Sequence, residues 1–193
     1  MTRKIFIWVA HPRATSFCSA LADAYEAGAE SAGATIRRMD LNAMLFDPHF
    51  EGYGPDMPAL EPDLLAWQEN VAWADHLLIV HPYWWGAMPA RAKAVLDRAL
   101  NSGFGFKYHK RGMGWDKLLT GRTADAILTS DTPTLIDTLL YLKPPRRVIR
   151  NQVLKFCGIK PRKVVQFGSV KLSDAAKRGR WIERARDMGR MAA

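Results

Sequence analysis

The chain has 193 residues, of which 48% are hydrophobic and 24% charged, and its formal net charge is +9. This length suffices for one hydrophobic core, so we expect a single domain over residues 1–193. No run approaches the roughly 18 apolar residues of a membrane-spanning helix, and we expect a cytoplasmic protein with no membrane span. The basic residues are spread over many segments, which does not favour a nucleic-acid partner.

The cysteines add little chemistry. Cys18 and Cys157 lie far apart and form no CxxC pair. We therefore expect two buried thiols, with no disulfide and no metal site.

Short apolar runs alternate with helical patterns along the whole chain. Four runs are typical of strands buried on both faces of a sheet, and a fifth, more polar run suits a sheet edge. In chain order, with the edge run second, these strands are residues 4–10, 34–41, 76–80, 123–128 and 163–167. The predicted helices are residues 17–32, 62–73 with Leu64, Trp67, Val71 and Ala74 on one face, 89–100, a span within 134–156, and a closing amphipathic helix whose apolar positions are Leu172, Ala175, Ile182, Ala185 and Met188.

This alternation predicts an α/β fold, because parallel neighbouring strands need crossover connections. Five strands in this length favour a flavodoxin-like three-layer sandwich, with a parallel sheet of order 2-1-3-4-5 and helices on both faces. In such sheets ligands bind beyond the carboxyl ends of the strands.

The stretch HPRATSF, residues 11–17, follows the first predicted strand. A helix that begins here points free backbone N–H groups at the site, and Thr15 and Ser16 can serve as cap and hydroxyl donors. The stretch lacks GK[ST] and GxGxxG, which disfavours ATP hydrolysis and a dinucleotide-binding Rossmann site. Phosphate binding and a simple N-cap remain open, and His11 either bonds a backbone carbonyl or contacts the phosphate.

The stretch HPYWWGAMP, residues 81–89, follows the third predicted strand. Exposed tryptophans reduce solubility unless something covers them. A flat aromatic ligand lying against Trp84 and Trp85 would cover both. The alternative is that both tryptophans pack under their own loop. Pro89 suits the first turn of the helix that follows.

Three stretches together resemble one known family. AHPRATSF, PYWWGAMPARAKAVLDR with GFGFKY, and TSDTP occur in the order found in the flavodoxin-like NAD(P)H:quinone oxidoreductases of the DT-diaphorase type. The match continues to LKFCGIK, residues 154–160, and the last strand. The resemblance implies an enzyme that passes a hydride from NAD(P)H to a bound flavin, FAD or FMN, and then to a quinone-like acceptor in a ping-pong cycle.

The resemblance also implies which residues hold the flavin. The first loop binds its phosphate or pyrophosphate, the second lies along the ring, and the third borders the other ring edge. With the cap residue Thr15 added, the expected flavin-binding residues are His11, Thr15, Ser16, Phe17, Cys18, Pro82, Tyr83, Trp84, Trp85, Gly86, Thr129, Ser130, Asp131 and Thr132.

The third loop departs from the family pattern. The best-studied members of the family carry a Thr-Thr-Gly-Gly loop with a tyrosine and a histidine shortly after it, whereas this chain has TSDTPTLIDTLLYLKPP. It contains no histidine, and its tyrosine, Tyr141, lies ten residues after Asp131. We therefore assign no catalytic residue, and Asp131 is either a flavin ligand or the cap of the next helix.

The helix from Pro89 to Leu100 presents Lys93, Asp97 and Arg98, of which the first two form a surface pair by default. The resemblance implies that this helix lies at a dimer interface. We expect a homodimer in which GFGFKY, residues 103–108, walls the site of the other subunit.

Two other functional classes stay open. One is a flavodoxin-like electron carrier or regulatory flavoprotein subunit without turnover. The charge of +9 argues against the carrier, because small electron carriers tend to be acidic, but not against the regulatory subunit. The other is a basic domain without flavin that binds nucleic acid or an anionic surface through its C-terminal helix, which leaves HPRATSF and the tryptophan pair unexplained.

Overall fold

The computed structural model describes residues 2–54 and 57–193. Five parallel strands form one sheet in the order β2-β1-β3-β6-β7, and β4 and β5 form a separate antiparallel pair. The strands are β1 Lys4–Val9, β2 Thr35–Asp40, β3 His76–Pro82, β4 Phe106–Tyr108, β5 Trp115–Lys117, β6 Thr123–Thr129 and β7 Lys160–Phe167. The α-helices are α1 Phe17–Ser31, α2 Pro62–Trp73, α3 Ala90–Ala99, α4 Thr134–Leu139, α5 Pro144–Arg147, α6 Lys155–Cys157 and α7 Ala175–Arg190, and a π-helix spans Val148–Leu154.

The predicted sheet is confirmed, because the five parallel strands taken in chain order have the spatial order 2-1-3-4-5. Alternate side chains of β1 enter two separate cores, as the two-residue period of a strand requires. Phe6 and Trp8 pack with α2 and α3, while Ile5, Ile7 and Val9 pack with α1 and α7. The more polar β2 lies at a sheet edge, as predicted.

Helices α1 and α7 approach each other so closely that glycine is needed at two positions. A Cβ atom on Gly28 would lie 2.0 Å from the carbonyl oxygen of Arg186, and one on Gly189 would lie 2.0 Å from that of Tyr25. These distances are far below van der Waals contact. The two glycines thus let the C-terminal helix cover the α1 side of the sheet.

The predicted span within 134–156 is not one continuous helix. It breaks at Leu142 and Lys143, which both have φ of 59°, and resumes at Pro144 with π-helical geometry further on. Pro144 is the physical reason, since the residue before a proline is disfavoured in the right-handed helical region.

The closing helix was predicted with too long an apolar face. It begins at Ala175 with Asp174 as its N-cap, and Leu172 precedes it with 84% of its surface exposed. Ala175 is also exposed, whereas Ala185 and Met188 are buried against α1. The periodicity of the sequence therefore ran one turn past the true helix start.

Arg98 does not belong to the polar surface of α3. Its guanidinium is buried and donates to Glu61 Oε1 at 2.6 Å and to the carbonyl oxygens of Asp47 at 2.9 Å and Ala59 at 3.0 Å. Arg98 thus ties the segment before α2 to α3, whereas Lys93 and Asp97 form the expected surface pair.

Both cysteines are free and buried, as predicted. Among residues 2–54 and 57–193, no helix is long and apolar enough to cross a membrane. The same residues contain no group of three or more His, Cys, Asp or Glu side chains placed to hold a metal ion.

Candidate functional site

A cleft of about 310 Å³ lies beyond the carboxyl ends of β1, β3 and β6. The backbone joins its walls, because Tyr83 N–H donates to Thr129 O at 2.7 Å and Ala10 N–H to Val80 O at 2.8 Å. The chain reverses its winding direction between β1 and β3, which is where doubly wound sheets bind ligands. The cleft is lined by His11, Arg13, Ser16, Phe17, Cys18, Pro82, Tyr83, Trp84, Thr129, Ser130, Asp131, Thr132 and Val170.

Most residues predicted from the three loops therefore meet at this one cleft. Thr15, Trp85 and Gly86 do not line it, although Thr15 and Trp85 each adjoin a residue that does. Arg13 and Val170 were missed. Arg13 lies inside HPRATSF, so a basic side chain beside the proposed phosphate position was the available signal, whereas nothing in the sequence singled out Val170.

The first loop ends in a capped helix. Ser16 is the N-cap of α1, and its Oγ accepts the N–H of Ser19 at 3.1 Å. The amides of Phe17 and Cys18, in the first turn, have no acceptor within the helix, because the first four N–H groups of any α-helix lack one. This end of α1 thus carries free donors and the positive end of the helix dipole at the cleft.

His11 is buried, and its ring is fixed by the backbone. Its Nδ1 accepts the N–H of Arg13 at 3.0 Å, so the expected alternative of a bond to a backbone carbonyl is wrong. Burial, and then the charge of Arg13, lower the pKa of His11 below its ordinary value. The neutral ring then carries its hydrogen on Nε2, which makes it a donor at the cleft.

The second loop is a tight turn with an unusual residue in it. Trp84 and Ala87 exchange both backbone hydrogen bonds at 2.9 Å, while Trp85 and Gly86 between them have φ of 48° and 81°. Positive φ at both central positions is what a type I′ turn requires, and a bulky residue seldom adopts it. Trp85 is fully exposed and Trp84 is 43% exposed, so the alternative in which both tryptophans pack under the loop is wrong.

Side chains of helix α1 and strand β7 contact those of the third loop. The Cys18 thiol contacts Thr129 Oγ1 at 3.3 Å, and burial raises the pKa of Cys18 to about 12, so it stays a neutral thiol. Ser130 donates to the carbonyl of Thr132 at 2.9 Å and accepts from Gln166 at 2.9 Å.

Asp131 does not cap the helix that follows it. The N-cap of α4 is Pro133, which has no side-chain bond, and Asp131 Oδ1 instead accepts the N–H of Lys171 at 2.8 Å. The capping alternative is therefore wrong. Asp131 lines the cleft, with its carboxylate tied to the loop before α7 through one oxygen.

These residues suit a flavin. The free amides of α1, the Ser16 hydroxyl and the Arg13 cation match a phosphate. The exposed indole of Trp84, with Trp85 next to it in the turn, matches a flat aromatic system. Among the described residues that line the cleft, Asp131 is the one carboxylate, and its charge is the one that opposes an anionic ligand.

Comparison with known proteins places the chain in a family. Residues 3–188 match the family described as having a flavodoxin-like fold, and the chain belongs to it. A Haemophilus influenzae protein named an uncharacterized NAD(P)H oxidoreductase is 27% identical over 180 residues, which cover 91% of this chain and 89% of that protein. The rat protein named ribosyldihydronicotinamide dehydrogenase [quinone] is 25% identical over 222 residues, covering 96% and 92%.

Solved structures agree. The crystal structure of Smu.1420 from Streptococcus mutans superposes with a TM-score of 0.85 at 28% identity, covering 97% of this chain and 99% of that one. The resemblance identified from the three sequence stretches is therefore confirmed.

Proposed function

We propose that this protein is a flavin-dependent NAD(P)H oxidoreductase that reduces quinones or related electrophiles by two electrons in a ping-pong cycle. The observation that carries the proposal is the cleft at the winding reversal, which is lined by the start of α1 and by the exposed Trp84. The names of the Haemophilus influenzae and rat relatives support both the NAD(P)H donor and the quinone acceptor.

The flavin, when bound, supplies the group that takes a hydride from NAD(P)H and passes it on. The chain would hold the flavin phosphate with the amides of Phe17 and Cys18, the Ser16 hydroxyl and Arg13. The turn of Trp84 and Trp85 would flank the ring, and its exposure leaves room for each substrate in turn.

Much of the rate enhancement in such a site comes from holding the reacting groups at the right distance and from fixed dipoles near the developing charge. The neutral His11 donor and the positive end of α1 are two fixed dipoles at this cleft. They favour negative charge on the bound molecule, which a reduced ring and a phosphate both carry. No side chain is assigned a covalent role, and the neutral thiol of Cys18 argues against one.

Two substrates should be supplied to test the activity: NADH or NADPH, and a benzoquinone. We expect steady-state turnover that requires flavin, with parallel lines in double-reciprocal plots as the sign of a ping-pong cycle. Bound flavin without turnover would instead favour the electron-carrier alternative. Binding of neither flavin would contradict both.

We also propose that two copies of the chain form the working unit. The segment from α4 to α5 exposes Leu135, Leu139, Leu140 and Leu142, each by 60% or more, one turn beyond the cleft residue Thr132. Such a group of apolar side chains favours association. A particle of twice 21.7 kDa by light scattering supports the dimer, and a fully active monomer contradicts it.

A further inference from the structure

The third loop, residues 129–132, is held by a side chain of strand β7 that does not itself line the cleft. Gln166 donates from Nε2 to Ser130 Oγ at 2.9 Å, and Ser130 Oγ donates in turn to the carbonyl oxygen of Thr132 at 2.9 Å. Ser130 and Thr132 line the cleft, whereas Gln166 does not. Gln166 and Ser130 are both buried. Gln166 therefore reaches the cleft through the Ser130 hydroxyl.

The direction of these two hydrogen bonds follows from the groups that make them. A carbonyl oxygen can only accept, so the one hydroxyl hydrogen of Ser130 goes to Thr132. The bond between Ser130 and Gln166 is then donated by the amide N–H of Gln166. The Thr132 carbonyl oxygen also lies against Gly168, where a Cβ atom would be only 2.6 Å from it. This carbonyl is thus both occupied and packed against the residue that follows β7.

The loop backbone consequently has its acceptors in use and two of its donors free. The carbonyl oxygens of Thr129 and Ser130 accept backbone N–H groups at 2.7 and 3.0 Å. The N–H groups of Asp131 and Thr132, by contrast, donate to no backbone acceptor within the described part of the chain. Free N–H groups suit acceptor atoms of a bound molecule, such as the carbonyl oxygens of a flavin ring.

The other end of the Gln166 amide is unsatisfied. Its Oε1 is buried and has no hydrogen-bond partner among the described residues. A buried amide oxygen without a donor destabilises a fold, and an apolar side chain of similar size would avoid that penalty. Residues that a fold would gain by replacing are typical of functional sites. The amide of Gln166 is therefore better explained by the cleft than by stability.

We propose that Gln166 is a positioning residue of the flavin site. Through Ser130 it keeps the Thr132 carbonyl occupied, so that the loop backbone meets the bound ring with the N–H groups of Asp131 and Thr132. Such donors favour negative charge on the ring, and so the reduced flavin over the oxidised one. This inference rests on the proposed function, and it adds strand β7 to the parts of the chain that tune the flavin.

The test uses the full chain and four variants: Gln166→Met, Ser130→Ala, the double variant, and Gln68→Met as the matched control. Methionine is close to glutamine in size but has no N–H to donate. Gln68 is suitable because its Nε2 also makes a hydrogen bond within the protein, to the carbonyl of Ala99, and it lies outside the cleft. For each protein we would measure the urea midpoint of unfolding, the dissociation constants of FMN and FAD, and the reduction potential of the bound flavin.

We expect Gln166→Met to weaken binding of the oxidised flavin by about threefold to tenfold, the effect of one lost hydrogen bond. Binding of the reduced flavin should weaken by a further factor of about three to ten, which lowers the potential of the bound flavin by about 15 to 30 mV. Ser130→Ala should act in the same direction. The double variant should add little, because both changes release the same carbonyl.

The stability of Gln166→Met separates this role from a structural one. The substitution removes an amide oxygen that has no partner, so the urea midpoint should not fall below that of wild type. A variant that unfolds, or that is clearly less stable than wild type, would contradict the proposal, because the amide would then serve the fold. A loss of flavin affinity with an unchanged potential contradicts it as well, since a merely displaced loop weakens both redox forms equally.

The proposal is also overturned if Gln166→Met matches Gln68→Met in flavin affinity and potential while wild type binds flavin and turns over. In that case the proposed function still stands. A wild-type protein that binds neither FMN nor FAD overturns the proposed function and this inference together, so wild type is measured first.

Discussion

The two histidines of strand β3 sit at opposite ends of the sheet and in opposite situations. His76, at the amino end, is fully satisfied: its Nε2 lies 2.8 Å from Tyr25 Oη and its Nδ1 lies 2.7 Å from Thr123 Oγ1. His81, at the carboxyl end, uses Nδ1 on the Pro82 carbonyl, and its buried Nε2 has no partner in the described chain.

The surroundings of the two histidines differ in the same way. At the amino end, Asp125 accepts from Tyr25 Oη at 3.1 Å and from Lys163 N–H at 2.9 Å, so the polar groups serve each other. At the carboxyl end, Asp137 Oδ1 has no hydrogen-bond partner among the described residues. The first amides of α1 have no acceptor within their helix, and Trp85, at φ of 48°, is fully exposed. The first arrangement stabilises the fold, and the second is what a ligand-binding edge requires.

The largest expected effect lies at the amino end. Asp125→Ala leaves two buried donors without an acceptor, so we expect the free energy of unfolding to fall by about 4 kcal/mol. Urea denaturation measures this. Asp116→Ala, which removes a surface carboxylate paired with His109, is the control and should change it by less than about 0.5 kcal/mol. If both variants changed the free energy of unfolding by a similarly small amount, the amino end of the sheet would not be the structural end that we describe.

The pH dependence of stability reports on His81. Burial lowers its pKa from 6.5 to about 4, so between these values the unfolded chain binds a proton that the folded chain does not. The contribution of His81 is therefore complete above pH 6.5 and declines as the pH falls toward 4, by about 3 kcal/mol in all. The free energy of unfolding, measured by denaturation at several values between pH 8 and pH 4, should depend less on pH in His81→Phe than in wild type. An unchanged pH profile in that variant would mean that His81 is not the titrating group.

Two helix caps separate stability from binding. Ser16→Ala and Asp174→Ala each remove the side-chain acceptor at a helix N-terminus, at Ser19 N–H and Lys177 N–H respectively. Each should lower the free energy of unfolding by about 1 kcal/mol. Only Ser16→Ala should also weaken flavin binding, because only α1 begins at the cleft. Equal flavin affinities in the two variants would remove the first loop from the site.

The smallest stability effect is expected at Trp85. Asparagine tolerates positive φ better than tryptophan does, and the exposed indole has no packing to lose, so Trp85→Asn should stabilise the fold by about 0.5 kcal/mol. Flavin affinity should fall nonetheless, because the aromatic surface is gone. A stabilised variant with unchanged flavin affinity would show that the turn is strained for some other reason.

The sheet could be predicted because buried parallel strands are continuous apolar runs, and the site because its three loops follow three of those runs. The helix break at Leu142 and Lys143 was foreseeable only in part, since Pro144 indicates a boundary but not the π-helix after it. The short β4 and β5 pair was missed, because three-residue strands such as Phe106–Tyr108 carry too few residues for a period.

The burial of Asp137 was beyond sequence reasoning for a different reason. Asp137 follows the pattern of a polar helix residue that faces water. Only the folded chain places its carboxylate at zero exposure, paired with Arg146. Long-range burial of a single charge leaves no periodic signal.

The central claim is that the cleft at the carboxyl edge holds a flavin, and the visible absorption spectrum of the purified protein tests it most directly. We predict the two-band spectrum of oxidised flavin, with FMN or FAD identified by chromatography after denaturation. A protein that stays colourless after incubation with both flavins would contradict the claim, and the basic binding domain would then be the better explanation of the charge of +9.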